Sequence, residues 1–358
     1  MNQDNGCNEA GCSSSCDCGC SGCGSVVEES QFNKDMQALY DAGKTADMLA
    51  ACSKQLAAEP DNSDAYFWRG VVAAVDSDFE QALADYTKAI ELNSHKAVYY
   101  SYRGSAYAMI DDIKNAVMDY SKAMFYEPED WMNYANRGVL YLNNNMFEHA
   151  IDDLSKALEL EPADMASYIN RGDAFAARNL YSTAIADYNK VIERFPEEPA
   201  ALIKRGQAYY EIGLIEEALA DYNKVIELEP ENIQAIAIRA SIYMGQEKPG
   251  EAVADFTQVI DADPSDGRPY FFRGIAYAAQ KDYDAAIADF TRTVELDPDN
   301  VLAHHNKALC CEQQKRTAEA IAAYKELLKR AKPESPEEAH AKERLQALEQ
   351  AADDTQLQ

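Results

Sequence analysis

One spacing of 34 residues constrains this chain more than any other feature. A basic residue followed by a small one recurs at that interval, without insertion or deletion, from Arg69-Gly70 to Lys307-Ala308. Position 20 of each repeat is alanine in all eight copies, and position 32 is proline in six. The repeats begin at Ser63, Ala97, Trp131, Met165, Pro199, Ile233, Gly267 and Val301. A chain with so regular a period is expected to stack like units rather than to build one globular core.

Each repeat contains two short helical patterns, which are clearest between Met165 and Glu198. Residues spaced at i, i+4 and i+7 mark one face of each helix. They are Tyr168, Gly172 and Phe175 in the first helix, and Ala184, Tyr188 and Val191 in the second. Asn179 and Leu180 lie at the turn between the helices, and Pro196 is expected to end the second helix, because proline lacks an amide hydrogen. Helices this short are not stable alone and must pack on their neighbours.

The repeat resembles the tetratricopeptide repeat (TPR) family. The length matches, as do the small residue at position 8, the aromatics at 11 and 24, the alanine at 20 and the proline at 32. The resemblance covers Ser63 to about Glu334. It implies an all-α solenoid, in which antiparallel helix pairs stack into a right-handed superhelix with a concave groove. The matching residues are expected to pack in the core.

Arginine and aspartate occur together in this array. Position 7 is arginine in seven repeats and position 23 is aspartate in seven, whereas the eighth repeat has Lys307 and Ala323 instead. We therefore predict that the arginine of one helix pairs with an aspartate of a neighbouring second helix. A bidentate contact of this kind would fix the stacking angle more than it would add stability. A ladder of arginines that binds a ligand is the alternative.

Degenerate segments flank the eight repeats at 63–334. Residues 31–62 are predicted to form a helix pair that keeps the 34-residue phase, with Gly43 at its turn and Cys52 as a small buried hydrophobe. Residues 335–352 are predicted to form a capping helix, because Ser335 can cap it and Pro336 suits its first turn. Its apolar face would consist of Ala341, Leu345 and Leu348. Residues 353–358 are expected to fray.

The composition excludes several classes of function. The net charge of -29 disfavours nucleic acid and anionic membranes as partners, because both need basic patches. The chain has neither an apolar run of about 20 residues nor a recognisable signal peptide, which predicts a cytoplasmic protein. Motifs of known catalytic sites are missing, so we predict no enzyme. His304 and Cys311 occupy packing positions and are interpreted as core residues.

The concave groove is the predicted binding surface. In TPR folds, positions 2, 5, 6, 9, 12 and 13 tend to face it, and only six of the 48 such residues here are charged. An exposed apolar surface of this extent marks a binding site, although closure of the superhelix on itself is an alternative. The predicted partner-binding residues are Phe67, Trp68, Val71, Tyr102, Met109, Asn136, Asn170, Lys204, Phe271, Phe272 and Ile275. The rings of Phe67, Trp68 and Tyr102 are expected to form one patch.

The expected ligand is a protein or an extended or helical peptide with large apolar anchors and a neutral or basic flank. Some TPR domains hold a chaperone's C-terminal carboxylate with a clamp that needs lysine at position 5 and asparagine at position 9. Neither occurs here, and only Asn136, Asn170 and Asn306 match the clamp asparagine at position 6. The clamp is therefore not predicted.

A separate segment, residues 1–30, is rich in cysteine, glycine and serine and is predicted to be a disordered or metal-binding tail. Six thiols so closely spaced can hold Zn, Cu(I) or an iron–sulfur cluster. They are Cys7, Cys12, Cys16, Cys18, Cys20 and Cys23. Disulfide or redox exchange, or no specific role, are alternatives.

Two functions follow from the sequence. The first is a non-enzymatic scaffold or adaptor that binds a peptide or a partner protein in its groove. The second is a metal- or thiol-handling protein that uses the cysteine cluster, with the repeats as its docking module.

Elemental analysis of anaerobically purified protein separates these two functions. If the cysteine cluster binds a soft metal, deleting residues 1–25 should remove the metal and leave thermal unfolding nearly unchanged, because the segment offers little apolar surface to pack. A metal-free full-length protein in which all six thiols react freely with a thiol reagent would contradict the metal site.

Overall fold

The computed structural model describes residues 30–356, with side chains up to Ala351. This part of the chain contains 19 α-helices and no strand, so the all-α fold is confirmed. None of its helices combines the length and the apolar character that a membrane span requires. The helices fall into two compact units, divided between Asp112 and Ile113 at the turn of the second repeat.

The N-terminal unit, as we call residues 30–112, begins with the degenerate pair. Its helices are α1 (Gln31–Asp41), α2 (Thr45–Ala58), α3 (Ser63–Val75), α4 (Phe79–Leu92) and α5 (Ala97–Met109). Cys52 is completely buried in the core of this unit, as predicted, and burial raises the pKa of its thiol to about 12.

The C-terminal unit, residues 113–356, holds the remaining helices. They are α6 (Ile113–Tyr126), α7 (Trp131–Asn143), α8 (Phe147–Leu160), α9 (Met165–Ala177), α10 (Tyr181–Arg194), α11 (Pro199–Glu211), α12 (Ile215–Leu228), α13 (Ile233–Gly245), α14 (Pro249–Ala262), α15 (Gly267–Ala279), α16 (Tyr283–Leu296), α17 (Val301–Gln313), α18 (Thr317–Leu328) and α19 (Pro336–Gln356). Within this unit, neighbouring helices along the chain pack mainly on one another.

Every repeat turns between its helices through one left-handed residue at position 15, with φ between 57° and 80°. At the end of α9, for example, the amide of Asn179 donates to the carbonyl of Ala176, and that of Leu180 donates to Phe175. These two bonds form a Schellman motif, which satisfies carbonyls at the end of the helix. Among the eight repeats only Gly213 supplies a glycine here, so this conformation leaves little trace in the sequence.

Close packing within a repeat depends on the small residue at position 8. A Cβ atom placed on Gly172 would lie 2.6 Å from Cε1 of Tyr188, and one on Gly138 would lie 2.7 Å from Cγ of Leu154. Position 8 therefore makes room for the large side chain at position 24 of the second helix. The alanine at position 20 is completely buried in all eight repeats, as the resemblance implied.

The predicted arginine–aspartate pairing is present in six repeats. Both carboxylate oxygens of the aspartate accept from Nε and Nη2 of the arginine in the same repeat, at 2.6–2.9 Å. These aspartates are only 2–7% exposed. The pairs are Arg69–Asp85, Arg137–Asp153, Arg171–Asp187, Arg205–Asp221, Arg239–Asp255 and Arg273–Asp289.

The same arginines also reach the preceding repeat, which the sequence did not reveal. In the C-terminal unit their Nη1 atoms donate to Ser121, Ser155, Asn189, Asn223 and Thr257, all at position 25, at distances of 2.6–3.1 Å. One guanidinium thus joins the two helices of a repeat and also attaches that repeat to its neighbour.

The capping helix begins where the sequence placed it. Ser335 Oγ accepts from the amide of Glu338 at 3.2 Å, and α19 packs on α18 through the fully buried Ala341. Leu345 and Leu348 pack against the same cluster. The helix continues to Gln356, beyond the predicted end at residue 352, because no glycine or proline interrupts the sequence there.

A double-mutant cycle tests the guanidinium contact. We expect Arg171→Met and Asp187→Ala to couple by about 2 kcal/mol or more in urea unfolding, because each single variant leaves the other charge buried and unpaired. Asp153 is the matched control, since it is paired with Arg137 instead, and its coupling to Arg171 should stay below about 0.5 kcal/mol. If the coupling of Arg171 to Asp187 is no larger than its coupling to Asp153, the bidentate contact does not stabilise the repeat.

Candidate partner-binding site

The ring patch predicted in the N-terminal unit is not an exposed surface. Phe67 and Trp68 are each 5% exposed and Val71 is 2% exposed, so these three residues belong to the core. Tyr102 packs edge-on against Phe67, with ring centroids 5.0 Å apart, and is partly exposed. Only Met109 is largely exposed, at 69%. This part of the predicted groove is therefore wrong as an open apolar patch.

The degenerate helix α1 is the reason for this burial. Asn33 accepts a hydrogen bond from Trp68 Nε1 at 3.0 Å and donates to Asp64 at 2.9 Å, and the ring of Tyr40 lies against the indole. Lys96 and Tyr99 also donate to Asp64. Burial alone would raise the pKa of this carboxyl, but the hydrogen bonds from Lys96, Tyr99 and Asn33 lower it. Helix α1 thus covers Trp68 as a full repeat would, although its sequence departs from the repeat pattern.

The other predicted residues lie in the C-terminal unit and do not form one cluster. Asn136 is exposed and Asn170 is half-buried, and neither lines a described pocket. Lys204 lines a pocket formed by α9, α10 and α11. Ile275 lines a second pocket, formed by α15, α16 and α17. Phe271 and Phe272 lie beside Ile275 on α15.

The pocket around Lys204, which we call the charged pocket, has a volume of about 320 Å³. Lys204 pairs with Asp173 at 2.7 Å, and Asp173 also accepts from the hydroxyl of Tyr188 at 2.8 Å. Burial, together with the charge of Asp173, raises the pKa of Tyr188. Gln207 and Glu211 add polar groups to its lining. An internal ion pair therefore occupies much of the polar capacity of this pocket.

The pocket around Ile275, which we call the apolar pocket, has a volume of about 270 Å³. Its lining residues are Ile275, Ala278, Tyr283, Phe290, Asn306, Leu309, Cys310 and Gln313. None of them carries a formal charge at neutral pH, because burial raises the pKa of the Cys310 thiol to about 11. Of these residues, sequence reasoning selected only Ile275 for the site.

The two pockets occupy equivalent places in the array. Both are built from positions 9, 12, 17 and 24 of one repeat and positions 6, 9, 10 and 13 of the next. Their chemistry differs at position 24, where the Tyr188 hydroxyl donates a hydrogen bond and Phe290 has no hydroxyl. Asp173 at position 9 serves that hydroxyl, whereas Ile275 stands at position 9 beside Phe290. A phenylalanine at position 24 with apolar residues at position 9 was the available signal.

An exposed aromatic surface adjoins Ile275. Phe272 is 46% exposed and stacks on Phe256, with ring centroids 5.9 Å apart and an interplanar angle of 16°. Phe271 packs against Phe272 and against Phe290, whose ring also lines the apolar pocket. We call Phe256, Phe271 and Phe272 the aromatic ledge.

The predicted cysteine site lies outside the described residues, since Cys7 to Cys23 precede residue 30. Within residues 30–351, no group of three or more His, Cys, Asp or Glu side chains is placed to hold a metal ion. His304 is 6% exposed and Cys311 is fully buried, which confirms their interpretation as core residues. His304 Nε2 lies 3.1 Å from the carbonyl oxygen of Pro298.

Comparison with protein families identifies the repeats. The tetratricopeptide repeat profile matches residues 37–97, 171–233, 239–301 and 282–336, and a second profile of the same description matches residues 134–164. These matches cover more than half of the chain. Among curated proteins, none matches the sequence significantly.

Several solved structures resemble this chain, and one of them shares its fold with a TM-score above 0.5. The C-terminal part of a TPR repeat-containing protein from Cytophaga hutchinsonii is 19% identical over 67% of this chain and 98% of that chain, with a TM-score of 0.58. A tetratricopeptide repeat protein from Parabacteroides merdae is 19% identical over 68% of this chain and 97% of that chain, with a TM-score of 0.48. YrrB, described as a TPR protein with an unusual peptide-binding site, is 22% identical over 54% of this chain and 100% of that chain, with a TM-score of 0.49.

Fluorescence quenching tests the burial of Trp68. In the Trp131→Phe variant, Trp68 alone emits, and we expect acrylamide and iodide to quench it weakly in the free protein. Adding Asn33→Ala should increase quenching and destabilise the N-terminal unit by about 1 kcal/mol or more, because the buried indole N–H loses its acceptor. Strong quenching of Trp68 without the second change would restore it as a docking residue.

Proposed function

The chain belongs to the tetratricopeptide repeat family, and on this basis we propose that it is a protein-binding scaffold whose partner contacts the first helices of the C-terminal unit. The observation that carries this proposal is the aromatic ledge, where Phe272 presents nearly half of its surface to solvent. TPR folds are typically interaction modules without catalytic groups, which agrees with a binding function.

The partner's contact segment is a peptide or helix with large apolar side chains. An exposed aromatic ring beside an apolar pocket, such as Phe272, is a usual anchor point of such segments, and a few anchors carry most of the binding energy. The chain as a whole has a net charge of -29, so a neutral or basic flank would approach without repulsion. The burial of Trp68 moves the proposed surface from the N-terminal unit to α13–α17.

A random-peptide display library, selected on the full-length protein, tests this function. We expect enrichment of peptides with apolar anchors, and we expect Phe272→Ala to weaken the binding of the selected peptides by at least about tenfold. Isothermal titration calorimetry or fluorescence anisotropy would measure the affinities.

Phe195→Ala is the matched control for this experiment. Phe195 is 49% exposed, close to the 46% of Phe272, but it follows the second helix α10 and lies outside the aromatic ledge. Equal losses in the two variants would indicate unspecific hydrophobic attachment. A library that yields no binder would contradict the proposed peptide-binding function.

A further inference from the structure

We propose that the apolar pocket between α15, α16 and α17 is a specificity site that accepts one aliphatic side chain, leucine or methionine, of a bound peptide. This inference rests on the proposed function and deepens it, since Phe271 of the aromatic ledge packs against Phe290, whose ring lines the pocket. It assigns a ligand chemistry to a pocket of which the predicted partner-binding residues included only Ile275.

The size and lining of the pocket define its occupant. A volume of 270 Å³ lies just below the range of about 300–1,000 Å³ that is usual for small-molecule sites, and it suits a side chain better than a whole ligand. Ile275, Ala278, Leu309 and the ring of Phe290 provide an apolar wall. Water in such a pocket has few hydrogen-bonding partners, so its displacement by a hydrocarbon side chain is favourable.

The rim offers polar groups of the kind that a peptide backbone requires. Asn306 and Gln313 line the pocket, and within the described part of the chain neither side-chain amide makes a hydrogen bond. Each amide has donors and an acceptor, so it can bind a peptide N–H or C=O without adding charge. A charged side chain would lose its hydration here without finding an opposite charge, which is costly.

The charged pocket provides an internal comparison. The equivalent positions there hold the Asp173–Lys204 pair, with the Tyr188 hydroxyl bonded to the same carboxylate. An aliphatic side chain entering that pocket would have to bury part of an ion pair. Two pockets of one architecture therefore differ in the side chain that they accept.

Photo-crosslinking with a defined probe tests the assignment. The probe is a blocked tripeptide, acetyl-Gly-X-Gly amide, in which X is the diazirine analogue of leucine, and mass spectrometry locates the crosslinks on the full-length protein. We expect labelling of the apolar pocket, with competition by the leucine and methionine tripeptides at least about tenfold stronger than by the aspartate tripeptide.

Exchange variants complete the test. Ile275→Asp with Asn306→Lys installs the ion pair of the charged pocket, and should reduce labelling of the apolar pocket at least about tenfold. The reciprocal variant carries Asp173→Ile, Tyr188→Phe, Lys204→Asn, Gln207→Leu and Glu211→Gln, and should gain labelling between α9 and α11. If the first variant does not fold, the gain in the second decides.

The outcomes separate this inference from the proposed function. Labelling that is scattered over the surface, or unchanged by both exchanges, would overturn the assignment of the pocket. If display-selected peptides depend on Phe272 but bind the Ile275→Asp, Asn306→Lys variant with full affinity, the scaffold function stands and the pocket assignment fails. Pocket labelling without any display-selected binder would support the pocket and contradict the scaffold.

Discussion

A partly buried guanidinium that forms three contacts is the interaction on which the array depends. The arginine of a repeat neutralises an aspartate that is almost inaccessible to water, and its remaining nitrogen binds the preceding repeat. Removing either charge would leave the other buried and unpaired, so the pair is retained or lost as a unit. Because the guanidinium is planar and its hydrogen bonds are directional, it restricts the angle between the helices as well as their distance. The pockets between successive first helices inherit their equivalent geometry from this restriction.

Much of the fold could be predicted because the repeat makes each local requirement visible eight times. The eighth repeat has Lys307 and Ala323 in place of the arginine and the aspartate, and this joint loss was enough to infer the pair. The contact with position 25 was not predictable in the same way, because this position holds serine, threonine or asparagine. All three can accept a hydrogen bond, but no single residue type recurs there. The left-handed turn at position 15 was hidden for a similar reason, because several residue types adopt it and glycine does so in only one of the eight repeats.

The candidate site was less predictable, for a reason seen at Trp68. Assigning positions to the concave face assumes that every first helix has the same neighbours, but α1 lies over α3 without matching the repeat pattern. Whether a residue is exposed depends on the helix that packs over it, and its position in the repeat does not give this information. Ile275 was predicted to bind a partner and lines a pocket. Leu309 and Gln313 of the next repeat line it too but were not among the predicted binding residues, because a pocket between repeats appears only when two repeats are brought together.

The tyrosines at position 24 differ in the hydrogen bonds of their hydroxyls. Tyr188 donates its hydroxyl to Asp173 and Tyr324 donates to Glu312, but among the described side chains the buried hydroxyls of Tyr86 and Tyr222 have no partner. The same hydroxyl at position 24 therefore has a carboxylate acceptor in some repeats and none in others. The contacts of the arginine guanidinium involve positions 7, 23 and 25. The residues at positions 9 and 24 can therefore change without altering these contacts between repeats. The residues that line the space between two first helices can therefore vary from one repeat to the next while the contacts that join the repeats stay the same.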